Sequence, residues 1–193
     1  MWIVSNDRFI FLLTASDMQK LFFYLITILL ISSCSSLSKL TQFEMDYQTE
    51  VKVPSLIGIE FPFKVLTPKI ETNSESTFAL NDTRKDMVEQ VLLKELTLSV
   101  TAPSDEDFSF LESMTVFLTA EGLEEIEVAS IKNIPWQVGN TLTLTPTGTD
   151  LQEYIKKDEF QLRLNTVTDE LITQDYTINI DATFFIDAKV LGL

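Results

Sequence analysis

Apolar and polar residues alternate along most of this chain with the period of two that marks a half-buried strand. The longest run is at the C-terminus, where Tyr176, Ile178, Ile180, Ala182, Phe184, Ile186, Ala188 and Val190 occupy every even position. Among the odd positions only Phe185 interrupts a polar set. A helix would mix these two sets on one face, so the spacing predicts a long strand over 176–190, with a bulge at Phe184-Phe185. The same alternation predicts strands at Phe43 to Val53, Leu96 to Thr101, Val116 to Ala120, Leu142 to Leu144 and Phe160 to Asn165. Ile57, Ile59, Phe61, Phe63 and Val65 form another set, and Pro62 on its opposite face marks an edge strand.

Two short helices are predicted. Thr149-Asp150-Leu151-Gln152 reads as a capping box, Leu151, Tyr154 and Ile155 share one face, and Lys156 and Lys157 close the last turn. Met87, Val88 and Val91 suggest a second helix within Asp82 to Val91. Turns are expected near Pro103, Gly122, Pro135 and Pro146 to Gly148. The fold class that follows is mainly β, an antiparallel β-sandwich of about seven to eight strands with one or two short helices. An up-and-down β-barrel is the alternative, because it too produces alternating strands. The phenylalanines sit largely at strand spacing and read as core, and Phe108-Ser109-Phe110-Leu111 reads as a return to the core after a loop.

Composition narrows the chemistry. The 193 residues include 14 Lys and Arg against 29 Asp and Glu, for a net charge of -15, with one Cys and no His. Without His there is no Ser-His-Asp or Cys-His nucleophile and no His-ligated metal, and one Cys makes neither an internal disulfide nor a thiolate zinc site. Strong acidity argues against a nucleic-acid partner, since binding phosphates requires clustered cations. Five glycines, scattered singly, form no phosphate-cradling loop.

Near the N-terminus the pattern changes. Lys20 is followed by an uncharged apolar run from Leu21 to Ile31, eleven residues long, then by Ser32, Ser33 and Cys34. Eleven residues at 1.5 Å each fall short of a hydrocarbon core of about 30 Å, but they match a signal-peptide apolar region. The ending Ile31-Ser32-Ser33-Cys34 resembles the lipobox of bacterial lipoproteins, with Ile31 where Leu is commonest. The resemblance covers about Met18 to Ser36. It implies that Cys34 is the lipid-attachment residue: its thiol takes a diacylglycerol, a peptidase cuts just before it, and the new amino group accepts a fatty acid such as palmitate. It also implies location. Ser35 rather than Asp follows Cys34, which favours the outer membrane, and no acidic run follows, which favours its periplasmic face over the cell surface.

The expected organisation is therefore a misassigned upstream start at 1–17, a lipoprotein signal peptide at 18–33, a lipidated tether at 34–42 and a β-sandwich domain at 43–193. Residues 1–17 carry Asp7 and Asp17 ahead of the apolar run, which no signal peptide requires. Cleavage before Cys34 removes Arg8, Lys20, Asp7 and Asp17, two of each sign, and leaves the net charge unchanged.

Candidate chemistry in the remainder is sparse. Asp105-Glu106-Asp107 offers hard oxygen ligands for Ca2+, but consecutive carboxylates diverge and the spacing of a calcium loop is lacking, so a solvated acidic loop is the plainer reading. Glu124, Glu125 and Glu127 beside Gly122 read the same way. Paired carboxylates could hydrolyse a glycoside, yet no pair stands out. Trp136, beside Pro135 in an expected loop, is either a ligand-stacking residue or a cover for the sandwich end. No catalytic, cofactor-binding or metal-ligating residue is expected. The reading that results is a non-enzymatic envelope lipoprotein, held to the membrane by its lipid and acting by protein contacts, with an envelope protein as a candidate partner, or by envelope organisation. A glycan- or lipid-binding module is the alternative, and a carboxylate hydrolase the least favoured.

Overall fold

The computed structural model describes residues 42–55 and 62–189, all within the compact unit that spans Thr41–Leu193. Residues 1–41, with the signal segment and Cys34, lie outside the described residues, as do Ile57, Ile59, Phe61 and Val190. The described residues form nine strands: β1 (Gln42–Val53), β2 (Phe63–Leu66), β3 (Ile70–Glu71), β4 (Val88–Ala102), β5 (Leu111–Ala120), β6 (Ile126–Lys132), β7 (Thr141–Pro146), β8 (Glu159–Thr168) and β9 (Tyr176–Ala188). Two helices join them, α1 (Ser74–Leu80) and α2 (Gln152–Ile155), with a single 3-10 turn at Lys85–Met87.

All pairings are antiparallel and the spatial order is β1-β9-β4-β7-β6-β5-β8-β2, with β3 also on β8. The layers β1-β9-β4-β7 and β6-β5-β8-β2 face each other and join at a short β6–β7 ladder, Ala129 to Pro146 and Ser130 to Thr145. An up-and-down barrel would pair strands in chain order and close β1 on its far neighbour. Here β9 lies between β1 and β4, and β1 and β2 end the order as edges. This is a β-sandwich with one stitched side. Pro62 immediately precedes the edge strand β2, where a missing N–H costs least.

The alternation predicts the core well. Every even position of β9 from Tyr176 to Ala188 is buried, as are Leu96, Leu98 and Val100 of β4, Leu142 and Leu144 of β7, and Phe160, Leu162 and Leu164 of β8. Phe108, Phe110 and Leu111 return to the core as expected. An aromatic cluster ties the layers together. Tyr47 of β1 meets Phe160 of β8 edge-on at 5.1 Å and Phe184 of β9 at 5.5 Å, and its hydroxyl donates to the Thr72 carbonyl at 2.7 Å.

Three local expectations need correction. Asp82 to Val91 is not a helix: it is the 3-10 turn followed by the start of β4, with a register shift at Val88/Gln90 that places Val88 and Val91 both inward. The real helix there is α1, which buries Ser74 and Phe78 and sets Phe78 edge-on to Phe43 of β1 at 6.0 Å. The expected bulge falls on the neighbouring strand. β9 keeps unbroken register with β1, while β4 slips between Leu93 and Glu95, opposite Phe184 and Thr183. The third concerns α2, whose start is held by Asp150 rather than a Thr149 cap. The Asp150 Oδ1 accepts from the Gln152 N–H at 3.1 Å and from the Val91 N–H at 3.0 Å, fastening the helix to β4. Lys156 follows the last turn as the C-cap, and its ammonium donates to the Gln152 side chain at 3.0 Å.

Candidate functional site

Strand direction sorts the loops to two ends. β1 starts at the end that carries α1, the β5–β6 hairpin and α2. The loops 103–110, 133–140 and 169–175 gather at the other end, where β1 finishes. The acidic run and Trp136 both belong to this far end, and the loops there are fastened to one another. Phe108 N–H donates to the Gly139 carbonyl at 3.1 Å, and Ile134 N–H donates to Glu112 at 3.0 Å.

The acidic run does not point uniformly into solvent. Glu106 turns inward, accepting from the Tyr176 hydroxyl at 2.6 Å and from the Gln174 amide. Burial, and then the hydrogen bond to Glu106, push the Tyr176 phenol well above its ordinary value. Asp107 accepts from the Ser109 N–H at 2.8 Å and turns the chain toward buried Phe110. Asp105 alone of the three is exposed, and the other two are half-buried. The reading as a solvated loop is thus corrected for Glu106, because the open end of the sandwich leaves the Tyr176 hydroxyl needing an acceptor. Among the described residues no three His, Cys, Asp or Glu side chains are grouped as a metal site.

Glu125 is likewise engaged. Its carboxylate takes a two-pronged contact from Arg163 of β8, Nε at 2.6 Å and Nη2 at 2.5 Å. The guanidinium sits 4.3 Å from the centre of the Phe117 ring on β5. The hydrogen bond from Arg163 holds the Glu125 carboxyl below the usual carboxylate range, and the same bond raises the guanidinium. The signal in the sequence was the alternation that puts Arg163 outward on β8. Its partner, 38 positions away, carried no mark of its own.

Trp136 is 73 % exposed on the β6–β7 loop, so it does not cover the sandwich end. Two open clefts lie at the opposite end. One of ≈ 720 Å³ runs between Lys69, Glu121, Lys156 and Lys157, and one of ≈ 390 Å³ beside α1 holds Glu71, Glu75 and Lys85. Part of their charge is paired: Lys69 with Glu159 at 2.5 Å, Lys85 with Glu75 at 3.6 Å and with Asp158 at 3.3 Å. The Glu159 hydrogen bond raises the Lys69 ammonium. The larger cleft sets three Lys against Glu121, Asp158 and Glu159, whereas the smaller surrounds Lys85 with Glu71, Glu75, Asp158 and Glu159 and is net acidic. No helix among the described residues is long and apolar enough to cross a membrane.

No protein-family model matches the chain, and no curated protein matches it. Among solved structures it is similar to the decameric BFDV capsid protein, with 9 % identity and a TM-score of 0.36 over 77 % of this chain and 98 % of that one. A carbohydrate-binding module, CBM32-3 from a family 31 glycoside hydrolase of Clostridium perfringens, aligns with 8 % identity and a TM-score of 0.31 over 79 % and 94 %. FLHE aligns with 5 % identity and a TM-score of 0.28 over 75 % and 98 %. Superpositions this loose leave the fold to the strand pairing itself.

Proposed function

We propose that this chain is a bacterial envelope lipoprotein, lipidated at Cys34, that holds a non-enzymatic β-sandwich at the periplasmic face of the outer membrane and acts by contact with an envelope protein. The observation that carries this reading is the order Lys20, the apolar run Leu21–Ile31, Ser32, Ser33 and the chain's single Cys. Only a thiol forms the thioether, and only small side chains ahead of it suit the peptidase. Two or three acyl chains, at about 0.8 kcal/mol per buried CH2, anchor a protein stably.

The absence of His and the engagement of Glu106, Glu125 and Glu159 with Tyr176, Arg163 and Lys69 support a role without catalysis. Changing Cys34→Ala tests the anchor. The wild type should enter the detergent phase of a Triton X-114 partition and the variant the aqueous phase, with its leader uncleaved. A wild type already in the aqueous phase would defeat the proposal.

Exposure of Trp136 favours one second reading, a glycan-binding lipoprotein, since a bare indole stacks on sugar rings. Titrating soluble envelope polysaccharide against the Trp136 fluorescence of the mature protein separates the two. Saturable quenching supports the glycan, and a flat response supports the protein contact.

A further inference from the structure

Resting on the lipid anchor at Cys34, we propose that the corner of the sandwich formed by α1 and the start of β1 lies against the bilayer, with Leu80 as the side chain that enters its surface. Leu80 is 84 % exposed, the most exposed large apolar residue among those described. It is placed beside the start of β1 because Phe78, two residues earlier in α1, packs on Phe43, while the Thr83 hydroxyl donates to the Lys189 carbonyl at 2.5 Å.

Chain length fixes which end faces the membrane. Ser35 to Thr41 span at most about 25 Å when extended. The thirteen residues of β9, at about 3.4 Å each, set the two ends of the sandwich about 40 Å apart. The tether is therefore too short to let the domain turn end over end.

Charge selects the same end. The segment 74–89 around Leu80 carries Glu75, Asp82, Asp86 and Glu89 against Arg84 and Lys85, and Arg84 pairs with Asp86 at 3.2 Å and Lys189 with Glu89 at 2.8 Å. The far loops 103–110, 133–140 and 169–175 carry six carboxylates and no Lys or Arg. Approach of those loops to anionic headgroups is repelled, whereas the corner, where cations offset part of the acidic charge, is repelled less.

The test uses the full lipoprotein, carrying Leu80→Cys, reconstituted through its own anchor into vesicles of phosphatidylcholine and anionic phosphatidylglycerol that contain headgroup-spin-labelled phosphatidylcholine. Cys34 is acylated, so the thiol at 80 alone takes a bimane label. Vesicles should float with the protein, the spin label should quench bimane at position 80, and Trp136 should keep its emission. Flotation with no quenching at 80, or with Trp136 quenched instead, overturns the docking while the anchor stands. Bimane shielded from aqueous iodide yet unquenched by lipid also overturns it, and assigns Leu80 to a contact between copies. Failure to float overturns the anchor and the docking together.

Discussion

The firmest predictions belong to single residues whose partners are fixed by geometry. Phe184 is 1 % exposed and touches both Tyr47 and Phe160 across the two layers. Phe184→Ala should destabilise the fold by about 3–5 kcal/mol in urea unfolding, because neither layer can collapse into the hole alone. Tyr47 and Tyr176 have phenols raised from an ordinary value of 10.0, the first by burial and the second by burial and Glu106. Raised pKa values mean that their contribution to stability is complete below pH 10 and is lost as pH climbs toward the folded values. An alkaline titration of phenolate absorbance should leave both phenols protonated where free tyrosine is half ionised, up to the pH at which the fold opens. Glu125 has the opposite sign. Its depressed carboxyl makes the contribution of the Arg163 contact complete above the ordinary value of 4.5, and that contribution is lost as pH falls through the lower folded value. Because the pair is partly solvated, Glu125→Gln should cost at most about 1 kcal/mol at pH 7 and should flatten the acid limb of the stability curve.

At the scale of elements, Asp150 makes a sharper prediction than the helix it starts. One carboxylate oxygen serves both Gln152 and Val91, so Asp150→Ala should cost about 1–2 kcal/mol and raise amide exchange at Val91 as well as in α2. The elements also show what the sequence could disclose. β9 was legible as a strand, since thirteen residues keep an alternating burial and both neighbours pair along it, but Phe185 on its outer face suggested a bulge that belongs to β4. α1 was not, because its seven residues bury only Ser74 and Phe78 and leave no apolar stripe. β6 escaped notice for a different reason: Val128 and Ala129 are both buried where the pairing with β5 slips, and the bulge erases the period of two. The same physics turned Asp82 to Val91 into an apparent helix. Contacts such as Glu106 with Tyr176 join residues 70 positions apart, and no local spacing encodes them.

For the whole molecule, the described sandwich and the N-terminal motif make separate statements that meet at the tether. The domain begins with β1 at Gln42, one position before the boundary expected from alternation, so little chain remains between it and Cys34. Under the proposed anchor, the short stretch to Cys34 and the end bearing Leu80 would make a membrane side, and the far end, whose loops carry six carboxylates, no Lys or Arg and the exposed Trp136, a presenting side. The proposed action by protein contact would use that presenting side.

The anchor is the assumption on which this polarity depends, and intact-mass spectrometry of the processed protein from native membranes measures it directly. The account predicts a chain that starts at Cys34 and is heavier than its amino acids by a diacylglycerol thioether, with or without an N-acyl chain. A mature product with a free thiol at Cys34, or one that retains the residues before it, would contradict the account at its root.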